Sequence, residues 1–504
     1  MSRARQALAL ILLGIVAGAV GYAGAAALGG ASEAPSPPVV AATATTAAAP
    51  AVAPRPAPAP PVAVAPSEPA APPEAPGPPP APAKPPAAEP PAPRPPRAPP
   101  PPPAPEPAPV TDAPPTVPPV PETAPAAPAP PAGPPPSALA PPPDPPTGVA
   151  ITEETALTGV DAAHRVLAAA LAAAPEGSTE RSDLARALAL WREYLGPDAT
   201  AVPAGRRATV ARALRASAWW FRDRRSPRER VLLRDEDGVI LTYRAGQGFA
   251  VNPVATTGRW RDLNDDVPAP ALAEALLGMG VARRAGDRAF TAWEYYDVAD
   301  DPAAIVPGTS GMAQARVALL MAHAQAQTGD PRFAAAALGA LAAFTADVGR
   351  GGVRSMVRTS SDQTLTPWYV ERAYPGDDPW KGGALNGFMV TLLNLRGAAS
   401  ILDGAPGGGE PAAVATTLAR DLADRGARSL SRHLADHDTG SWSLYGLLTP
   451  GRPWRSYLAD LNYHCYHVRL LADLAAAYPG HGFAETADTW QGYVDDGGLT
   501  CPAR

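Results

Sequence analysis

Two cysteines in 504 residues are too few for a disulfide framework, so this chain must fold on a hydrophobic core with at most one bridge, Cys465 to Cys501. Cys465 reads equally well as a small buried residue. A surplus of positive charge is also missing: 42 Lys and Arg stand against 48 Asp and Glu, and the net charge is −6. No basic stripe or nucleic-acid motif is present, so nucleic acid is excluded as a partner and a polyanion is not held by bulk charge, although a local basic groove is compatible with an acidic total. Charge of either sign is absent from Ala7 to Ala31. That run is long enough to cross a hydrocarbon core of ~30 Å as a helix. Arg3 and Arg5 at its start keep the N-terminus cytoplasmic. Residues 1–31 therefore read as a signal anchor, or as a signal peptide if the small residues around Ala25–Ala27 and Gly29–Ala31 are cleaved. The remainder is expected outside the cytoplasm, periplasmic or extracellular, on a single-pass protein of the cell membrane, or secreted after cleavage.

Residues 32–148 have too few aromatic and branched side chains to bury a core, and they hold most of the chain's 69 prolines. The segment is expected to be a disordered, semi-rigid stalk extending at ~3.1 Å per residue. Matches to PxxP such as Pro93-Arg94-Pro95-Pro96-Arg97 are inevitable in such a composition and carry little specificity.

Beyond residue 149 the period becomes helical. Residues 149–230 are expected as a helical N-terminal part, with helices at 160–174 and 178–195, a cap at Ser178, a stop at Gly196-Pro197, and a third helix at 204–221. Asp235-Glu236-Asp237-Gly238 between two β-branched runs predicts a hairpin. From there to residue 504 the pattern predicts helices at about 270–285, 311–328, 332–347, 384–402, 412–435 and 455–478. Short connections imply antiparallel neighbours, and the intervals do not form a strict repeat. The expected fold is mainly α: an incomplete (α/α) toroid of helical hairpins over residues 231–504 with a small β element.

Phenols and imidazoles cluster in this otherwise Ala- and Leu-rich region. In the last long helix Tyr463, His467, Leu470 and Leu474 fall at spacings of four, three and four and share one face, with His464 beside it. Taken alone, Tyr463 and His467 read as amphipathic residues closing a core. His464 and His467 at i, i+3, with Asp460 a turn earlier, make a weak metal signal, and no metal is assigned. Trp368, Trp442 and Trp454 are candidates for stacking on sugar rings or for buried packing.

Four motifs in order resemble the C-terminal domain of the D-glucuronyl C5-epimerases: Ser310-Gly311-Met312-Ala313-Gln314; Tyr374-Pro375 ahead of Leu385-Asn386-Gly387-Phe388; Gly440-Ser441-Trp442-Ser443-Leu444-Tyr445; and Tyr463-His464-Cys465-Tyr466-His467. Gly246 to Pro253 also looks like bacterial members, and the resemblance covers about residues 240–495. It implies an isomerase inverting C5 of uronic acid residues, D-glucuronate to L-iduronate in type, within a polysaccharide. It implies catalytic Tyr374, Tyr445 and Tyr463, and substrate contacts from Glu371, Arg372, Asn386, Trp442, His464 and His467. No cofactor is needed for proton exchange. The family usually has Glu before the first tyrosine and Asp after the second, where this chain has Ala373 and Gly446. Either Glu371 replaces the missing Glu or the two-base arrangement is absent. The alternatives are therefore a catalytically inactive glycan-binding relative and a uronate polysaccharide lyase.

Overall fold

In a computed structural model of the protein, the residues described are 147–152, 157–228, 230–258, 263–297, 307–374, 383–446 and 458–502. The expected membrane helix, nearly all of the expected stalk, and Trp454 lie outside them. The described part is mostly helical, with small sheets.

Three helices open it: α1 (Val160–Ala173), α2 (Thr179–Tyr194) and α3 (Ala204–Phe221). Ser178 caps α2 as expected, its hydroxyl accepting from the Arg181 N–H at 3.1 Å. They pack beside a four-stranded sheet in the order β1 (Thr147–Ala150), β2 (Val231–Arg234), β3 (Ile240–Arg244), β4 (Gly248–Val251). The β2–β3 hairpin turns at Asp235–Gly238, where the Asp235 carboxylate accepts the N–H groups of Asp237 and Val239 and Gly238 takes a positive φ of 84°. Strand β1 was not anticipated. It starts at Thr147, inside the last two residues assigned to the stalk, and pairs in parallel with β2.

A short α4 (Pro253–Thr257) and α5 (Ala269–Leu277) follow. The helix expected at 270–285 ends at Leu277, because Gly278 and Gly280 interrupt it and the pattern then changes to period two. Val281–Ala285 (β5) pairs instead with Arg288–Ala292 (β6), Val281 and Ala285 pointing inward and the residues between them more open.

The C-terminal half is three helical hairpins: α6 (Gly311–Thr328) with α7 (Pro331–Ala342), α8 (Leu385–Leu402) with α9 (Gly409–His433), and α10 (Leu461–Ala477) with α11 (Phe483–Asp496). The first members pack in an inner row, α6 on α8 and α8 on α10, while α7 packs on α9 outside them. Sequence accounts for the two rows. Helix α6 is buried on nearly every side and α8 is buried throughout its first two turns, whereas α9 buries one stripe including Ala415, Ala419, Leu422 and Leu430. Four outcomes differ from expectation: α7 stops at Ala342 in a 3-10 turn, a hairpin of β7 (Arg354–Arg358) and β8 (Leu365–Tyr369) precedes α8, the helix expected from 455 begins at Leu461 behind its Asp460 cap, and α11 adds a final helix. Cys465 and Cys501 are disulfide-bonded, tying α10 to the C-terminal tail beside Trp442 and Val494.

Candidate active site

The site is assembled at the N-terminal ends of the inner helices, by chain segments strapped across them. Segment 370–374 crosses the start of α6: the Gly311 N–H donates to the Val370 carbonyl at 2.8 Å, and Thr309 and Ala373 exchange a pair of backbone hydrogen bonds at 2.8 Å each. A side chain at position 311 would lie 2.9 Å from the Val370 oxygen, so this close approach requires glycine. The neighbouring motif residues have equally local reasons. Ser310 caps α6 by accepting from the Ala313 N–H at 3.1 Å, and the buried Gln314 amide donates to the Thr291 carbonyl at 2.7 Å and accepts from the Trp293 N–H at 2.9 Å.

A second strap, residues 442–446, runs between α8 and α10. The Leu385 N–H donates to the Tyr445 carbonyl at 2.8 Å, and the Ala459 N–H donates to the Ser443 carbonyl at 3.1 Å. Below it sit two buried imidazoles. The Ser443 N–H donates to His464 Nδ1 at 3.1 Å, and the Ser443 hydroxyl lies 2.9 Å from Nδ1 of both His464 and His467. His464 Nε2 donates to the Trp490 carbonyl at 2.9 Å, which assigns Nδ1 as the acceptor. Trp442 stacks on His464 with centroids 3.8 Å apart. Burial holds His464 at about 4 and His467 well below the ordinary range. Both imidazoles are therefore neutral at pH 7. Tyr463 begins the same helix, which Asp460 caps by accepting the Tyr463 N–H at 2.8 Å.

These straps bring Tyr374, Tyr445, Tyr463, Glu371 and Arg372 into one neighbourhood. The rings of Tyr445 and Tyr463 meet edge-on at 4.8 Å, with a hydrogen bond between the hydroxyls. Burial drives the Tyr445 phenol well above its ordinary range, with Glu371 and Tyr463 pushing the same way and Arg372 opposing. Tyr374 donates to the Asp297 carbonyl at 3.1 Å. Burial lifts it to about 12, Asp297 adding to the rise while Arg372 opposes through its charge and a hydrogen bond. Glu371 is only 7 % exposed, and burial lifts its carboxyl to about 7 against the opposing charge of Arg316. A side chain on Gly387 would meet Glu371 Oε2 at 2.8 Å, so the glycine of Leu-Asn-Gly-Phe makes the room this carboxyl occupies.

The chemistry available follows from these shifts. At neutral pH the phenols of Tyr374 and Tyr445 are proton donors, whereas Glu371 is poised between acid and carboxylate and is the group able to accept a proton. Two arginines, Arg372 and Arg316, supply positive charge. Trp442, His464 and His467 form a separate layer supporting the strap, and Trp368 is buried between Phe388 and His437. Asn386 is fully buried at the start of α8, and neither of its polar atoms meets a partner among the described residues. No group of three metal-ligating side chains converges among the described residues.

Sequence reasoning missed Arg316 and Tyr295, both buried beside Glu371. Arg316 carried a readable signal. It is the lone charge in the apolar stretch from Gly311 to Met321, and a charge on a buried face needs a partner.

Residues 289–492 match the family model described as D-glucuronyl C5-epimerase C-terminus. A D-glucuronyl C5-epimerase of Caenorhabditis elegans is 29% identical over 198 residues, covering 39% of this chain and 30% of that relative. The chain thus spans under a third of the length of this curated relative.

Proposed function

We propose, from the match of residues 289–492 to the family model described as D-glucuronyl C5-epimerase C-terminus, that the protein is an isomerase that inverts C5 of uronic acid residues in a polysaccharide. The observation that carries this reading is the pairing of Tyr445 with Tyr463 beside a buried carboxyl, Glu371, lifted to about 7, with Tyr374 on the same strap as that carboxyl.

The C5 hydrogen of a uronate is α to a carboxylate and weakly acidic, so its removal needs a placed base and charge stabilisation at the carboxyl oxygens. Glu371 takes the proton as the C5–H bond breaks and the electron pair moves into the uronate carboxyl group. Arg372, flanked by Tyr374 and Tyr445, opposes the charge that gathers there. Tyr463, with Tyr445 bonded to it, returns a proton to C5 from the opposite ring face. The glutamic acid and phenolate that remain exchange with solvent or are reset by the reverse reaction. Glu371 thereby fills the role that the family's Glu would have at position 373. Tyr374 beside Arg372 and the buried Asn386 support the site, and Trp442, His464 and His467 act on substrate through the strap bearing Tyr445.

The inner and outer helix rows support an incomplete (α/α) toroid. The disulfide supports an oxidising compartment, in keeping with a globular part carried outside the cytoplasm on an N-terminal membrane helix and Pro-rich stalk.

The test is deuterium incorporation at C5, read by NMR, when purified full-length protein is incubated in D₂O with a panel of glucuronate-containing polymers. Exchange without chain cleavage that disappears in Tyr463→Phe and Glu371→Gln is expected. Binding without exchange would replace this reading with the glycan-binding one, for which Ala373 is the favouring observation. Unsaturated, ultraviolet-absorbing products would replace it with a lyase.

A further inference from the structure

Arg316 is an expensive residue to bury. It sits on α6, 4 % exposed, five positions beyond the start of the helix that the Glu371 segment crosses. Its guanidinium is held from outside the family match: Nη1 donates to the Val254 carbonyl at 3.1 Å, in the first turn of α4. Gly258 leaves space for it, since a side chain there would lie 2.0 Å from Arg316 Nη1. At the start of α8, Gly387 leaves space for the Glu371 carboxyl. Two glycines in different segments thus admit one buried cation and one buried anion that influence each other. The other described titratable groups whose charges reach this pair are Tyr295, before α6, Tyr445 on the strap and Tyr466 on α10. All three are phenols with no positive charge to offer.

We propose that Arg316 is a positioning residue that keeps Glu371 available as an ionised base, holding it from behind while the substrate is met from the opposite side. The proposal rests on the assignment of Glu371 as the base. Physically, an isolated carboxylate at this depth would stay protonated through neutral pH, and a nearby guanidinium offsets part of that desolvation. Burial pulls the arginine down and lifts Glu371, and each charge opposes the other's shift. The N-terminal region contributes directly: the Val254 carbonyl and the space at Gly258 set where the guanidinium rests. Val254 and Gly258 therefore act on the chemistry although they lie before the matched segment.

The test uses full-length protein and the pH profile of C5 deuterium exchange for wild type, Arg316→Lys, Arg316→Gln and Gly258→Ala. Removing the cation in Arg316→Gln is expected to move the acidic limb of kcat/KM upward by about one pH unit, an approximately tenfold loss on that limb, with exchange recovered at higher pH. Arg316→Lys keeps the wild-type limb, and Gly258→Ala, which displaces the guanidinium without removing it, moves it in the same direction as Arg316→Gln. A loss in Arg316→Gln that is uniform across pH, or an unmoved limb, overturns the proposal. Infrared titration of the Glu371 carboxyl, isolated by subtracting Glu371→Gln spectra in each background, separates the two ideas. A midpoint raised by Arg316→Gln in a protein that exchanges no substrate upholds the pairing and rejects the epimerase reading, while an unchanged midpoint rejects the pairing itself.

Discussion

Replacing Glu371 by Gln is expected to stabilise the folded protein at alkaline pH while abolishing C5 exchange. The folded carboxyl titrates at about 7 against an ordinary 4.5, so between those values the native state binds a proton that the unfolded chain releases. Stability from this group is therefore present at low pH and is lost as pH rises through 7. The gap is worth about 3 kcal/mol at roughly 1.4 kcal/mol per pH unit, and about 2.5 kcal/mol of it falls between pH 5 and 8. Glutamine has nearly the same shape and cannot ionise, so it carries none of this dependence. Urea unfolding of both proteins, followed by tryptophan fluorescence at pH 5 and pH 8, isolates the effect, because every other titrating group is shared and cancels in the difference. The stability of Glu371→Gln relative to wild type should improve by about 2.5 kcal/mol from pH 5 to pH 8. Parallel pH dependences would refute the reasoning, since Glu371 would then not be a buried, proton-holding carboxyl.

The opposite sign holds for the buried imidazoles. His437 and His464 are each held at about 4 by burial, so their contribution is complete above about 6.5 and is lost as pH falls toward 4, about 3 kcal/mol for each; a fluorescence titration should show acid unfolding in that window, and full retention of structure at pH 4 would contradict it. Ser443→Ala removes the hydroxyl shared by His464 and His467 and should lower unfolding free energy by about 2–3 kcal/mol, measured by urea denaturation, with exchange reduced because the Tyr445 strap loosens. Replacing both Cys465 and Cys501 with Ala opens a loop of sequence separation 36 and should cost about 3–4 kcal/mol, a loss that wild type would reproduce after reduction.

Local signals transferred well to the fold. The three N-terminal helices, the cap at Ser178, the Asp-Gly hairpin and the start and end of α6 all appear where composition, capping residues and period put them, because each depends on interactions within a few residues. The β5–β6 hairpin did not. Val281–Ala285 follows the Ala- and Leu-rich α5 and is itself Ala- and Arg-rich, a composition that suits a helix, and its strand state depends on pairing with Arg288–Ala292 across Gly286. Strand β1 was illegible for a stronger reason, since its partner β2 lies more than eighty residues away.

At the site, the residue types and their order were readable: Tyr374, Tyr445 and Tyr463 stand out by their place in the ordered motifs, and Glu371 stood out as a carboxylate close to the place where one was missing. Their roles were not. The sequence treats His464, His467 and Trp442 as neighbours of Tyr463 and Tyr445, yet packing turns them into a buried layer under the strap, because adjacent helix positions point in different directions. It leaves Arg316 as one more arginine, and burial against the Val254 carbonyl makes it a counter-charge. One-dimensional pattern carries capping, period and motif order, all of which are short-range properties. Which carboxyl loses its water, which phenol stays protonated and which cation faces them are properties of desolvation and distance, and these come into being when two straps from separate stretches of chain meet over the ends of α6, α8 and α10.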